Sequence, residues 1–360
     1  MKKLLFIGFA HLCITCCSAQ SLNLCEGPYV EYRKNLVFVR SMDAASNVII
    51  DSFPEAQKEA HPLAIHFSNH SGWDFSVTLR KKIKTEPFNW SKEDVIVAFS
   101  DIEGEFEAFR NLLIANKVMD EKYQWILGKG HLVICGDLFD RGNDVAAELW
   151  LLYKLEGEAK EGGGYVHTIL GNHDIMNLSG DYRYVQPKYL ERAKKMGTVY
   201  SELYNAKSEL GRWLRSKNLI ERINNDLFLH AGISPEVLAL KWPLYKINSD
   251  CREYYDQGAH PEKFPDKDLW KFFDETSPFW YRGYFTEPKA TQALVDNTLS
   301  FYQVNKIIVG HDIIDSVSAF YQDKVIGIDV NEHEGNSQGL WIEGGIYYKI
   351  DLSGKKYKIL

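Results

Sequence analysis

Sulfur is scarce in this sequence, and much of the cysteine sits at one end. The 360 residues hold 6 cysteines, and Cys13, Cys16 and Cys17 fall within the first nineteen positions. Cys25, Cys135 and Cys251 are what remain, too few and too scattered for a disulfide framework or a thiolate metal site. Cys135 lies in an apolar strand pattern and reads as packed there, whereas Cys25 and Cys251 could pair in an oxidising compartment. A basic excess is also lacking: 42 Lys and Arg stand against 49 Asp and Glu, for a net charge of −7. That balance excludes broad nucleic-acid binding, which needs a positive footprint. Past the N-terminus no unbroken apolar run is long enough to span a bilayer. There is no internal repeat, and low complexity is confined to Gly162-Gly163-Gly164, a predicted loop.

What is present is a globular composition, with 45% hydrophobic, 25% charged and 13% aromatic residues, enough for a sizeable core. Lys2 and Lys3 precede the apolar stretch Leu4 to Ile14, and Cys17-Ser18-Ala19 precedes Gln20. This is the pattern of a signal peptide over residues 1–19, which predicts export to the periplasm or beyond. A lipoprotein anchor at Cys16 or Cys17 ranks second, because Cys13-Ile14-Thr15 is a poor small-residue approach. Loss of residues 1–19 removes Lys2 and Lys3 and moves the net charge from −7 to −9.

Two regions follow. Residues 20–90 read as a small β-rich extension, with β-like runs at Tyr29 to Arg40, Asn47 to Ile50 and Phe75 to Leu79, and a turn-rich stretch at 68–72. Residues 91–360 alternate short apolar strands with helices. Strands are predicted at Val95–Phe99, Leu132–Cys135, Tyr165–Leu170, Leu227–Leu229 and Ile307–Val309, with β-rich segments at Val325–Val330 and Leu340–Ile350. Helices are predicted at Glu105–Asn116 and Asp144–Leu155, with two helical stretches across 187–218. The fold class is α/β, with a layered core.

The chemistry stands where the strands stop. Val95–Phe99 runs into Ser100-Asp101-Ile102-Glu103-Gly104, and Leu132–Cys135 into Gly136-Asp137-Leu138-Phe139-Asp140-Arg141-Gly142. Tyr165–Leu170 runs into Gly171-Asn172-His173-Asp174, Leu227–Leu229 into His230-Ala231-Gly232, and Ile307–Val309 into Gly310-His311-Asp312. In an open α/β sheet, ligands gather at the carboxyl ends of the strands, so these donors can meet in one crevice. Carboxylate, amide oxygen and imidazole together suit Mn, Fe or Zn. Each element alone has a plainer explanation: a lone Asp101 is a helix cap or turn former, and Asn172 a turn residue. A lone His230 or His311 is a hydrogen-bonded buried histidine. The ordered recurrence of five such strand ends is what argues for a site.

The set Asp-x-x-Gly, Gly-Asp-x-x-Asp-Arg-Gly, Gly-Asn-His-Asp, His-Ala-Gly-Ile-Ser-Pro and Gly-His resembles the calcineurin-like metallophosphoesterase superfamily. Asp140-Arg141-Gly142 resembles its phosphoprotein phosphatase branch, and Ser277-Pro278-Phe279-Trp280-Tyr281-Arg282-Gly283 a segment of the bacterial Shewanella-like phosphatases. The resemblance covers roughly residues 94–330. It implies a β-sandwich flanked by helices and a phosphomonoester hydrolase using two divalent ions, Mn first, with Fe, Zn or Mg as alternatives. It places Asp101, Glu103 and Asp137 at one ion and Asp137, Asn172, His230 and His311 at the other. Ions about 3.5–4 Å apart clamp a phosphoryl group and generate hydroxide for in-line attack. By the same resemblance His173 is the general acid, Asp140 orients its ring, and Arg141 and Arg282 grip phosphate oxygens. Arg282 has a second reading as a surface arginine beside an aromatic cluster.

One position departs from the pattern. Glu103 stands where the family has histidine. Either it reaches a metal, favouring harder ions such as Mn or Mg, or it faces away as a first-turn acid stabilised by the helix dipole. Asp174, where the branch often has glutamate, is a milder departure. The expected substrate is a phosphoserine or phosphothreonine protein. The alternatives are a small phosphoester (nucleotide, dinucleoside polyphosphate or sugar phosphate) and a binding protein with a decayed site. No nucleic acid partner is expected.

Overall fold

The computed structural model describes residues 26–68 and 70–360. The leader pattern of residues 1–19 and Cys25 lie outside that range. Cys251 is buried and unpaired among the described residues.

The chain opens with an antiparallel sheet of β1 (Glu26–Arg33), β2 (Leu36–Met42) and β3 (Val48–Pro54), then a pair, β4 (Leu63–Ile65) and β5 (Phe75–Val77). The core strands follow: β6 (Asn89–Trp90), β7 (Val95–Phe99), β8 (His131–Cys135), β9 (Tyr165–Ile169), β10 (Ile220–Ile223) and β11 (Asp226–Leu229). After a largely helical stretch come β12 (Lys306–Val309), β13 (Ser318–Phe320), β14 (Val325–Gly327), β15 (Gln338–Glu343), β16 (Ile346–Asp351) and β17 (Lys356–Lys358).

These core strands form two sheets, the sandwich that the family resemblance implied. The first runs β17-β16-β15-β7-β8-β9 and the second β13-β14-β12-β11-β10-β6. Strands β7, β8 and β9 are mutually parallel, and so are β11, β12 and β14. The sequence shows why both faces of each sheet are covered. In β7, Ile96 and Ala98 belong to a cluster with Phe228 and Ile308 of the other sheet, while Val97 and Phe99 pack in the helical layer with Phe109 and Leu112. Such a strand buries both faces, so it reads as a continuous apolar run rather than an alternating one.

The crevice of an open sheet is therefore replaced by the shared rim of a sandwich. Parallel β7–β9 and parallel β11–β12 bring their carboxyl ends to one edge, and loop hydrogen bonds tie the two sheets there. The His311 N–H donates to Asp101 Oδ2 at 3.0 Å, and His230 Nδ1 donates to the Cys135 carbonyl at 2.7 Å.

The helices differ from expectation in length and number. The helix predicted from Asp144 runs Val145–Gly162 and stops where Gly163 takes a left-handed conformation, φ 81°. The stretch 187–218 holds helices Pro187–Lys195, Tyr200–Leu203 and Glu209–Leu214 rather than two, with a break at Gly197, φ 73°, and a new start where Ser208 caps the Gly211 N–H. The first residues pack onto this layer. Trp150 Nε1 donates to the Pro28 carbonyl at 2.8 Å, and Tyr32 Oη donates to Glu209 at 2.6 Å. Tyr29, Val30, Val37, Leu63 and Val77 belong to the same apolar cluster as Trp150 and Leu214.

Candidate metal and active site

The loops after the strands are strained in a consistent way. Asp101, Glu103, Asp137, Asp140, Arg141 and His311 all have positive φ, a region that non-glycine residues seldom occupy. Clustered strain of this kind is held by surrounding structure and concentrates at functional sites. Gly171 and Gly310 make room for it. A Cβ on Gly171 would stand 2.2 Å from Asp137 Oδ1, and one on Gly310 2.3 Å from Asp101 Oδ2. Asp174 anchors the turns, its carboxylate accepting the N–H groups of Gly171 at 2.7 Å, Leu138 at 2.9 Å and Asp137 at 3.1 Å. The mild departure at this position thus has a structural task.

Four predicted donors converge. His230 Nε2 lies 2.8 Å from Asn172 Oδ1, 3.1 Å from His311 Nδ1 and 3.3 Å from Asp137 Oδ2. Because His230 Nδ1 donates to the Cys135 carbonyl at 2.7 Å, Nε2 faces an amide oxygen and a second imidazole, and it would give up its proton to a cation bound there. Electron-pair donors so gathered, fully buried, fit a cation. Adjacent ligands of an ion bound at ~2.1 Å lie about 3 Å apart, the spacing found here. Glu103, Asp137 and His173 form a second group whose ligand atoms approach one another within 4.8 Å, sharing Asp137 with the first. Asp101 joins neither group directly. Its carboxylate accepts the His311 N–H at 3.0 Å and the Ser100 hydroxyl.

The electrostatics follow from burial and these neighbours. Burial pushes Asp101 up to about 6. Burial would do the same to Asp137, but the imidazoles of His230 and His173 hold it well below the usual carboxylate range. Burial works against a charged His230, yet Asp137 and Asp101 raise it to about 10. His311 is held well below its ordinary value by burial and by the neighbouring His230.

His173 stands beside this pair of groups. Its Nδ1 donates to Asp140 Oδ2 at 2.6 Å, and its Nε2 lies 3.8 Å from Glu103 and 3.9 Å from Asp137. Burial lowers its proton affinity, but the Asp137 charge and the Asp140 hydrogen bond more than compensate, so the net shift is upward. Sequence reasoning missed what holds Asp140. Asn177 donates to Asp140 Oδ1 at 3.0 Å and to the His173 carbonyl at 2.9 Å, and Tyr200 donates to Asn177 at 2.8 Å. Asn177 lies one helical turn after His173, and that i, i+4 spacing was the available signal.

A cavity of about 370 Å³ opens over these groups, lined by Asp101, Glu103, Asp137, His173 and His311 together with both predicted arginines. The side chains of Arg141 and Arg282 are half exposed, at 47% and 49%. Arg282 donates to Asp312 at 2.6 Å, and Arg141 contacts Glu103. Arg282 is thus an exposed arginine that also stands at the cavity wall. Glu103 is 1% exposed, so it does not face solvent. It meets Arg141 on Oε1 and His333 on Oε2, the latter at 2.7 Å. His333 and Asp329 also line the cavity, and neither was singled out from the sequence. Asp329 follows β14 as Asp101 follows β7, so the strand-then-donor pattern was there to be read.

Residues 95–315 match the calcineurin-like phosphoesterase family, and the chain belongs to it. It is a phosphoester hydrolase of that family. Among curated proteins it is 26% identical over 300 residues to Shewanella-like protein phosphatase 2 of Arabidopsis thaliana, covering 70% of this chain and 74% of that one. It is 30% identical over 232 residues to an uncharacterized protein of Schizosaccharomyces pombe, covering 60% of this chain and 66% of that one, just under two thirds of its length. Among solved structures, the cold-active protein-tyrosine phosphatase of a psychrophilic Shewanella species superposes with a TM-score of 0.85 at 32% identity, covering 93% of this chain and 99% of that one.

Proposed function

We propose that the protein is a metal-dependent protein phosphatase of serine/threonine type, acting after export. The observation that carries the substrate class is the cavity lining. Two half-exposed guanidiniums flank a buried donor cage, an arrangement that grips a phosphate at an open surface. Such a site suits a phosphorylated side chain presented from a protein surface better than an enclosed nucleotide. Exposed Tyr184, its ring 5.0 Å from that of His173, and exposed Ile313 offer contacts for the flanking peptide. The similarity to a Shewanella-like protein phosphatase supports the same reading.

Asp137, Asn172, His230 and His311 would hold one divalent ion, and Asp101, Glu103 and Asp137 the other, Mn being the first choice for so many hard oxygen donors. Bound there, the pair supplies charge neutralisation for phosphoryl oxygens and acidifies a water. The chain's own residues do the rest. Arg141 and Arg282, each tethered on one side by a carboxylate, present their remaining N–H groups to phosphate oxygens as planar forks. His173, fixed through Nδ1 by Asp140, keeps Nε2 toward the cavity to protonate the departing alkoxide.

The test is a panel of phosphoserine, phosphothreonine and phosphotyrosine peptides beside nucleotides, dinucleoside polyphosphates and sugar phosphates, with Mn present. The expected result is kcat/KM highest on phosphoserine or phosphothreonine peptides. Turnover confined to the small molecules would overturn the substrate class, and turnover confined to phosphotyrosine would overturn the serine/threonine assignment.

A further inference from the structure

The cavity wall includes a carboxylate that no described residue hydrogen-bonds. Asp329 lies past the 95–315 span of the family match, two residues after β14. Its backbone is fixed, since the Ile314 N–H donates to its carbonyl at 3.0 Å. It is 3% exposed and lines the cavity with Asp101 and Asp137. The other carboxylates there are all engaged. Asp101 accepts from Ser100 and from the His311 N–H, Asp137 accepts the His173 N–H, and Glu103 meets Arg141 and His333. The Asp329 carboxylate accepts no hydrogen bond from any described residue, and the charges acting on it are those of Asp101 and Asp137, opposed by those of His230 and Arg141.

Buried carboxylates are normally hydrogen-bonded, paired with a cation or bound to a metal. A purely structural aspartate would have found a donor, as Asp174 does with three backbone N–H groups. An aspartate set bare against two others is arranged for a cation. We propose that Asp329 is a further ligand of the metal pair, serving the ion on the Asp101 side of Asp137. This assignment rests on the two-ion reading above and deepens it. Asp329, like Asp101, stands outside the two groups whose ligand atoms approach within 4.8 Å, so both carboxylates would turn inward on binding, giving with Glu103 and Asp137 a hard-oxygen set matched to Mn or Mg rather than Zn.

The experiment uses the full chain, stripped with chelator, reloaded with Mn and desalted, with bound metal counted by elemental analysis and titrated by calorimetry. Asp329→Ala and Asp329→Asn are compared with the unmodified protein, and melting is followed in Mn and in EDTA. The unmodified protein should retain two ions. Asp329→Ala should retain one, with the affinity for the second lowered by at least ~10–100-fold, the loss typical even of outer-shell partners. In EDTA both variants should melt no lower than the unmodified protein, because no described residue hydrogen-bonds the group removed, while the rise in Tm produced by Mn shrinks. Two ions at unchanged affinity in Asp329→Ala would overturn the assignment, as would an equal loss of Tm in EDTA and in Mn, the mark of a packing role. If the unmodified protein retains no more than one ion, the two-ion reading itself fails and the assignment goes with it.

Discussion

Asp137→Asn is expected to abolish measurable turnover and to empty both metal positions together. Asp137 is the donor common to both groups, with Oδ2 3.3 Å from His230 Nε2 and 3.9 Å from His173 Nε2. Asparagine keeps the size and can still accept the His173 N–H that Asp137 Oδ1 receives at 2.9 Å, so the loop geometry is retained while the central charge is lost. Outer-shell partners of metal ligands are worth ~10–100-fold in affinity, so a shared inner ligand should cost more than ~10²-fold. Elemental analysis after desalting reads the outcome. Retention of both ions at unchanged affinity would contradict the placing of Asp137 between them.

His173→Gln should behave differently, and the contrast is informative. Its Nδ1 is committed to Asp140, and the Asp140–Asn177–Tyr200 chain holds the ring from behind. Removing a positioned proton donor typically costs ~10²–10⁴-fold, and the cost should fall on turnover while metal content stays at two ions. The loss should also depend on the leaving group. An alkyl phosphate must expel a basic alkoxide and should show the full decrease, whereas p-nitrophenyl phosphate expels a stable phenolate and should show a smaller one. Equal losses on both substrates, or metal loss like that of Asp137→Asn, would remove His173 from the role of general acid.

The contrast between local and long-range order explains how much of this was legible in sequence. Each strand end is a local message: an apolar run, a glycine that permits a tight approach, then a donor. Asp101, Asp137, Asn172, His173, His230 and His311 could be read that way, and their shared rim is where the structure places them. The partition of β7–β9 and β11–β12 into separate sheets came only through the family resemblance, because strand pairing is decided by contacts far apart in the chain. Lengths of regular elements suffered likewise. The helix from Val145 continues past Leu155 to Gly162 with Ala159 buried and Glu156 accepting from Arg80, Trp213 and Lys217, contacts that no window around Leu155 contains.

The supporting residues were harder still. Glu103 departs from the family histidine, and its surroundings depend on Arg141 nearby and on His333, 230 positions away. Asn177 and Tyr200 matter only through Asp140, so no strand-end pattern marks them, and the spacing of Asn177 from His173 is the one trace in the sequence. The same holds for the buried Lys217, which donates to Glu86 at 2.8 Å and to Glu156 at 2.5 Å, with Arg80 donating to Glu156 at 2.7 Å. Those ions lie on segments that are distant in sequence, and they tie the N-terminal residues to the helical layer. Removing one partner would leave an uncompensated buried charge, which typically costs about 3–5 kcal/mol.

The central claim is that donors from separate β-termini assemble around two cations at Asp137. Diffraction from crystals soaked in manganese, with anomalous data collected on either side of the manganese edge, tests it most directly. The predicted result is two anomalous peaks about 3.5–4 Å apart, one among Asn172, His230 and His311 and the other beside Asp101, with the Asp137 carboxylate between them. A difference map with no peak at Asp137, or with the imidazoles of His230 and His311 turned away from the metal, would contradict it.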